Sequence, residues 1–226
     1  MNGRPAGKLI VFDLDGTLID SQRDLAQSAN RMLASYGAAP LPVDAVAGMV
    51  GEGARILVER ALAAAGLNPG EPEALRRFLG AYDEELLVHT RPYPGVVAAL
   101  ENIFPSVPIA VLTNKPEGPT RRLLEAFGLD RFVGRAIGGD SGFVRKPDPA
   151  GLRSLIVSAA ASPDTTLLVG DSAVDVETAR RAGTRMCVAR YGFGGLRGPV
   201  VLRGEEWEVF DPADLPAVLR RFLEGE

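Results

Sequence analysis

Apolar positions along the chain follow two rhythms. In the first, short apolar runs ("LIVF" at 9–12, "IAVL" at 109–112, "LLVG" at 167–170, "MCVA" at 186–189) alternate with stretches of helical spacing such as "VVAALENIF", "RRLLEAF" and "AVDVETARRAG". Runs this short and this continuously apolar predict strands buried on both faces, and their alternation with helices predicts βαβ units. The second rhythm holds alone from about Asp20 to Arg91, where Leu75, Phe78, Leu79, Tyr82 and Leu86 share one helical face and no strand-like run intervenes. The pattern therefore predicts an α/β protein, a Rossmann-like doubly wound parallel sheet core with an inserted all-helical cap domain. Residues 1–19 and 92–226 form the core and 20–91 the cap. The boundaries fall at "TLIDS" and at the Pro- and Gly-bearing "HTRPYPG".

Composition narrows the partners. With 226 residues, 46% hydrophobic, the chain is long enough to bury a sizeable core. The formal charge is -4 and the arginines are scattered rather than clustered, which predicts no nucleic acid and no membrane surface as partner. The apolar run near the start is too brief for a signal peptide and no segment reaches transmembrane length, so the expected location is cytoplasmic and the expected partner a small molecule. Cys187, in "RMCVA", reads as a buried structural thiol. No oligomeric state is assigned.

In open sheets of this kind ligands bind at the carboxyl ends of the strands. The residues that follow each apolar run are chemically loaded. After "LIVF" stand Asp13 and Asp15; after "IAVL", Thr113, Asn114 and Lys115; after "LLVG", Asp171 and, a helical turn on, Asp175. Lys146 opens "KPDP", in which Pro147 keeps it extended, Asp148 can cap and Pro149 suits a first helical position. Taken singly, each acid also reads as a helix cap. Together, several carboxylates converging with a lysine and a hydroxyl make a hard-cation site beside an anion site, as magnesium-assisted phosphoryl transfer requires. Of the 25 basic residues only three are lysines, two of them Lys115 and Lys146. A compact ammonium is not interchangeable with a guanidinium where space beside a phosphoryl group is tight.

The ordered set "DLDGTLID", "LTNK", "KPDP" and "GDSAVD" resembles the four motifs of the haloacid dehalogenase superfamily of phosphohydrolases, and "MVGEGARILVERAL" with "HTRPYPGV" resembles the cap and hinge of its phosphoglycolate phosphatase branch. The resemblance implies Asp13 as nucleophile, Asp15 as general acid/base, Thr113 and Lys146 as phosphoryl binders, and Asp171 as a ligand of Mg2+. Asp13 and Asp15 complete that metal site, Asp15 through its backbone carbonyl, with Asp175 behind it. It also implies a small phosphorylated metabolite as substrate and an aspartyl-phosphate intermediate. Haloacid dehalogenases themselves lack the second aspartate of the first motif, so Asp15 argues against dehalogenation.

Gly16 permits a sharp turn beside the site, and the Asn114 amide is placed to hold transferring oxygens. In the cap, "GEGAR" offers backbone amides at Gly51 and Gly53 and a cation at Arg55 for a substrate carboxylate. His89, the single histidine, reads as a hydrogen-bonded hinge or core residue, Trp207 as the core residue of a late strand, and Lys115 and Ser172 carry no assigned role. Three other functions share these ingredients: a phosphosugar mutase, a pyrophosphatase, and a phospho-aspartate signalling module. The inserted lid and the placing of the acid pair count against the last.

Overall fold

The computed structural model describes residues 7–104, 106–197 and 201–225. A six-stranded sheet is built from β1 (Leu9–Phe12), β4 (Ile109–Leu112), β5 (Val133–Ile137), β6 (Thr166–Gly170), β7 (Arg185–Ala189) and β8 (Trp207–Val209), in the order β5-β4-β1-β6-β7-β8. Every pairing is parallel, with β1 in the middle, Ile10 opposite Ile109 on one side and Leu167 on the other. The chain winds outward from β1 through β4 to β5, then returns to β6 on the opposite flank. That reversal opens a crevice at the carboxyl ends of β1, β4 and β6.

Because strand side chains alternate, the two faces of β1 feed two cores. Ile10 and Phe12 join a cluster with Val96 and Leu100 of α5 (Val96–Ile103), Leu123 of α6 (Glu117–Ala126) and Leu219 and Phe222 of α9 (Leu215–Glu224). Leu9 and Val11 pack with Leu152 and Leu155 of α7 (Ala150–Ser158) and Val176 and Ala179 of α8 (Ala173–Ala182). Cys187, on β7, is fully buried in the first core, and burial pushes its thiol up to about 12, as suits an inert packing residue. Lys8, half-buried just before β1, donates to the Phe222 and Leu223 carbonyls at 3.0 and 2.7 Å and so closes the end of α9.

Between β1 and β4 the chain forms the helical cap: α1 (Gln22–Ala34), α2 (Val43–Ala47), α3 (Ala54–Ala64) and α4 (Ala74–Glu85). Its entry and exit strands, β2 (Ile19–Asp20) and β3 (Arg91–Pro92), pair antiparallel as a two-residue hinge. Beside them the wholly buried Asp24 carboxylate accepts from the His89 and Thr90 backbone amides at 2.9 and 2.8 Å and from the Thr90 hydroxyl at 2.7 Å. Four polar groups of the returning linker and α1 are thus satisfied in one place. Met32, Leu57, Phe78 and Leu86 of the cap belong to the same apolar cluster as Ile10 and Phe12.

One expectation is narrowed here and another corrected. α4 ends at Glu85, so His89 lies past the helix, exposed, with Nε2 3.3 Å from Gln27 Nε2; it is a hinge residue and not a core one. Trp207 is only half-buried, edge-to-face on Phe222 with Arg185 and Arg221 over its ring, while Val209 supplies the buried position of β8.

Candidate active site

The carboxyl ends of β1, β4 and β6 deliver Asp13, Thr113 and Asp171, all nearly buried. The Asp13 amide donates to the Val169 carbonyl at 2.8 Å, extending the β1–β6 ladder by one rung and fixing where its side chain leaves the sheet. The chain then turns through Gly16, at φ +86°, where a Cβ would collide with the Asp171 carboxylate. Gly192 meets the same limit, since a Cβ there would strike the Gly16 carbonyl and Asp171. The two glycines let backbone close around one acid.

Asp13, Asp171 and Asp175 each present a carboxylate oxygen within 4.8 Å of the others. One ammonium answers them. Lys146 Nζ lies 2.9 Å from Asp13 Oδ1 and 2.6 Å from Asp175 Oδ1. Burial acts to lower the Lys146 pKa, but these two carboxylates override it and hold the ammonium charged. Burial, opposed by Lys146 and reinforced by Asp175, pushes the Asp13 carboxyl up to about 6. Asp171 is driven well above the carboxylate range, chiefly by burial and then by Asp175 and Asp13; the Gly194 amide, 2.7 Å from its Oδ2, only partly compensates. Three acids against one base leave the pocket short of positive charge, and a divalent cation fits that deficit.

Asp175 plays a different part from its neighbours. Its Oδ2 accepts from the Ser172 hydroxyl and amide at 2.5 and 3.1 Å, while Ser172 Oγ caps the Asp175 amide at the start of α8. Ser172, unassigned from sequence, is therefore the N-cap that holds Asp175 onto Lys146. On the other side, Asp148 Oδ1 accepts the Ala150 amide, so α7 begins one residue beyond Pro149.

Asp15 stands outside the carboxylate cluster. Ser21 donates to its Oδ1 at 2.6 Å and Lys115 Nζ lies 3.0 Å from its Oδ2. Lys115 also donates to the Tyr82 hydroxyl at 2.7 Å, with its ammonium 4.5 Å from the ring centre. Burial alone would depress Lys115, yet Asp15 and Tyr82 raise it, and burial pushes Tyr82 up to about 12, so Tyr82 keeps its proton. Asp20, third acid of the first motif, joins neither group; its Oδ1 accepts the Gln22 amide at the start of α1.

Asp13, Asp15, Thr113 and Lys115 share with the cap a cavity of about 50 Å³, walled on the cap side by Leu25, Gly51, Gly53, Ala54, Leu57, Phe78, Leu79 and Tyr82. Asn114 has a role the sequence did not reveal. Its side-chain amide donates to the Gly51 and Lys146 carbonyls, both at 2.9 Å, and its Oδ1 accepts the Lys146 amide at 2.9 Å. The carboxamide thus clamps the cap loop and the Lys146 backbone and is not itself free for transferring oxygens. Gly51, at φ +119°, lines the cavity with its carbonyl turned to Asn114. Arg55 does not reach the cavity. Ala54 falls at the centre of the arc buried by Leu57, Val58, Ala61 and Leu62, and Arg55, about 100° round the helix, is exposed.

Sequence reading passed over Ser21 and left Lys115 without a role. Tyr82 appeared only as an apolar-face residue, because a tyrosine's ring obeys helical periodicity while its hydroxyl does not. The Ser21 contact arises because the Gly16 amide donates to the Ile19 carbonyl, folding the chain back past Asp15.

Comparison with known proteins places this geometry. The chain is 43% identical over 205 residues to a phosphoglycolate phosphatase of Rhodospirillum rubrum, spanning 87% of this chain and 84% of that one. It is 39% identical over 218 residues to a phosphoglycolate phosphatase of Cereibacter sphaeroides, spanning 95% and 98%. The crystal structure of a predicted phosphoglycolate phosphatase from Haemophilus somnus superposes with a TM-score of 0.88 at 33% identity, covering 96% of this chain and all, 100%, of that one. Residues 10–189, from β1 to the end of β7, match the haloacid dehalogenase-like hydrolase model, and the chain belongs to that family.

Proposed function

We propose that the protein is a magnesium-dependent phosphatase that hydrolyses a small phosphomonoester, phosphoglycolate, through an aspartyl phosphate on Asp13, with residues 20–91 acting as its lid in a reducing cytoplasm. The observation that carries this reading is the pairing of two unlike acids at one strand end: Asp13 among buried carboxylates on Lys146, and Asp15 held apart by Ser21 and Lys115. The names of the relatives support the substrate.

Asp13 and Asp171 would hold the cation with the Asp15 backbone carbonyl, while Asp175 orients Lys146. When bound, the cation supplies charge neutralisation for the phosphoryl oxygens and keeps Asp13 ionised. Asp13 attacks phosphorus, and the P–O bond to the leaving group breaks as the new P–O bond forms. Lys146, already 2.9 Å from Asp13 Oδ1, shifts its charge onto the equatorial oxygens beside the Thr113 hydroxyl and the Asn114 backbone. Asp15 gives its proton to the departing alkoxide, then takes one from the water that attacks the phosphoryl-aspartate and regenerates Asp13. The cap walls exclude other water meanwhile.

The test is phosphate release, with and without EDTA, across phosphorylated acids, sugars, nucleotides and pyrophosphate. Magnesium-dependent release with phosphoglycolate preferred is expected. Undiminished rates in EDTA would remove the metal, transfer of the phosphoryl group to a sugar hydroxyl without release would favour the mutase, and preference for pyrophosphate would favour the pyrophosphatase.

A further inference from the structure

The cavity has two unlike ends. One carries Asp13 and Thr113, while the cap end is apolar apart from Tyr82, and Lys115 is the cationic side chain that lines it. Lys115 is 7% exposed and its ammonium has three N–H groups to place. Asp15 and the Tyr82 oxygen take two of them. Tyr82, used here as an acceptor, keeps its own O–H. One N–H and one O–H are therefore left without a partner among the described residues, side by side in a wall where unpaired donors are costly.

We propose that Lys115 and Tyr82 bind the second anionic group of the substrate, a carboxylate one methylene away from the phosphate ester oxygen, and that this pair, not Arg55, sets the preference for a two-carbon phosphorylated acid. The inference rests on the phosphatase reading above and adds to it the residues that read the leaving group. Two distances constrain the ligand. If Asp15 meets the ester oxygen through a hydrogen bond of about 2.8 Å, Lys115 stands one contact further on, 3.0 Å from Asp15 Oδ2, within reach of a carboxylate carried on the ester carbon. Because Thr113 and Lys115 are two residues apart on one loop, phosphoryl and carboxylate would be gripped by one rigid segment. Tyr82, on α4, would make the same carboxylate a bridge between core and cap.

The experiment compares phosphoglycolate with ethyl phosphate, which has the same chain length and no carboxylate, in wild type, Lys115→Met, Tyr82→Phe and Arg55→Ala. Because Lys115 also holds Asp15, its loss slows both substrates; the ratio of their kcat/KM values cancels that shared effect. Wild type should favour phosphoglycolate strongly. Lys115→Met should cut the ratio about 30-fold and Tyr82→Phe about fivefold, mostly through KM, as expected for a lost charge-assisted and a lost neutral hydrogen bond. Arg55→Ala should leave it unchanged. A ratio that survives both Lys115→Met and Tyr82→Phe, or that falls in Arg55→Ala, overturns the assignment. A wild-type ratio near one is a different failure, visible before any substitution: it removes phosphoglycolate as the substrate, and the carboxylate site with it.

Discussion

The shortage of positive charge around Asp13 should be measurable as a pH dependence of stability with an unusual sign. Most carboxylates in a folded protein are stabilised when ionised, so stability grows as pH rises above 4. Asp13 does the opposite. Its pKa is pushed up to about 6, by burial first, whereas in the unfolded chain it titrates near 3.8. The folded state therefore binds the proton more tightly, and the contribution is complete below the unfolded value and lost as pH climbs through about 6. The full difference corresponds to about 3 kcal/mol, of which roughly half, 1 to 2 kcal/mol, falls between pH 5 and pH 8. For a chain of 226 residues, about 2 °C of melting temperature accompanies each kcal/mol. In EDTA the melting temperature should therefore rise by about 3 °C as pH falls from 8 to 5, with Asp171, shifted in the same direction, adding to it. Magnesium binds the ionised form, so it should raise the melting temperature more at pH 8 than at pH 5 and flatten the slope. Asp13→Asn, which cannot ionise, should lose the Asp13 share of the slope and be more stable than wild type in EDTA at pH 8. The assay is thermal unfolding by circular dichroism over that pH range with EDTA or magnesium. A wild-type melting temperature that is flat or falls on acidification in EDTA, with the same profile in Asp13→Asn, would refute the electrostatic account of the site.

Lys146→Met leaves Asp13 and Asp175 buried without their cation, so we expect a loss of about 3 to 5 kcal/mol in metal-free protein together with loss of turnover, read by urea unfolding and phosphate release; a change below 1 kcal/mol would mean the pair is not coupled. Gly16→Ala forces a Cβ into the Asp171 carboxylate at a positive φ, and should reduce kcat/KM by at least 100-fold while magnesium loses its stabilising effect; near-normal activity would show that the loop relaxes without cost. Asp15→Ala should slow alkyl phosphates far more than p-nitrophenyl phosphate, whose leaving group hardly needs a proton. Steady-state and burst kinetics together test this, and equal losses with no accumulated intermediate would remove Asp15 from its acid role.

What was legible in the sequence was whatever depends on one strand and its next few residues. "LIVF", "IAVL" and "LLVG" appear as β1, β4 and β6 within a residue, and the groups following them converge because parallel strands aim their carboxyl ends the same way. What was illegible depends on tertiary partners. Asn114 follows Thr113, yet its side chain turns to Gly51 and Lys146, a choice settled by a cap loop 63 residues away in sequence. Arg55 was attractive because it follows two glycines, while the helical register of Leu57, Val58 and Ala61 already turned it outward. Asp24, in the first turn of α1, satisfies the hinge linker through partners 65 and 66 residues away, which no local pattern marks. For His89 the sequence left hinge and core both open, because the choice depends on where the chain turns back to pair Arg91 with Asp20.

The three lysines have a consequence for chemical accessibility. Lys8 is bound to the last carbonyls of α9, Lys115 to Asp15 and Tyr82, and Lys146 to Asp13 and Asp175, the latter two 7% and 5% exposed. The outer surface carries its positive charge on guanidinium groups, which acylating reagents and aldehydes leave largely untouched at neutral pH. The Lys115 and Lys146 amines are therefore held inside the folded chain and the half-buried Lys8 amine is tied to α9, so their modification reports opening: Lys8 when α9 detaches from the sheet, Lys115 when the cap lifts from Asp15, and Lys146 when the catalytic strand ends come apart.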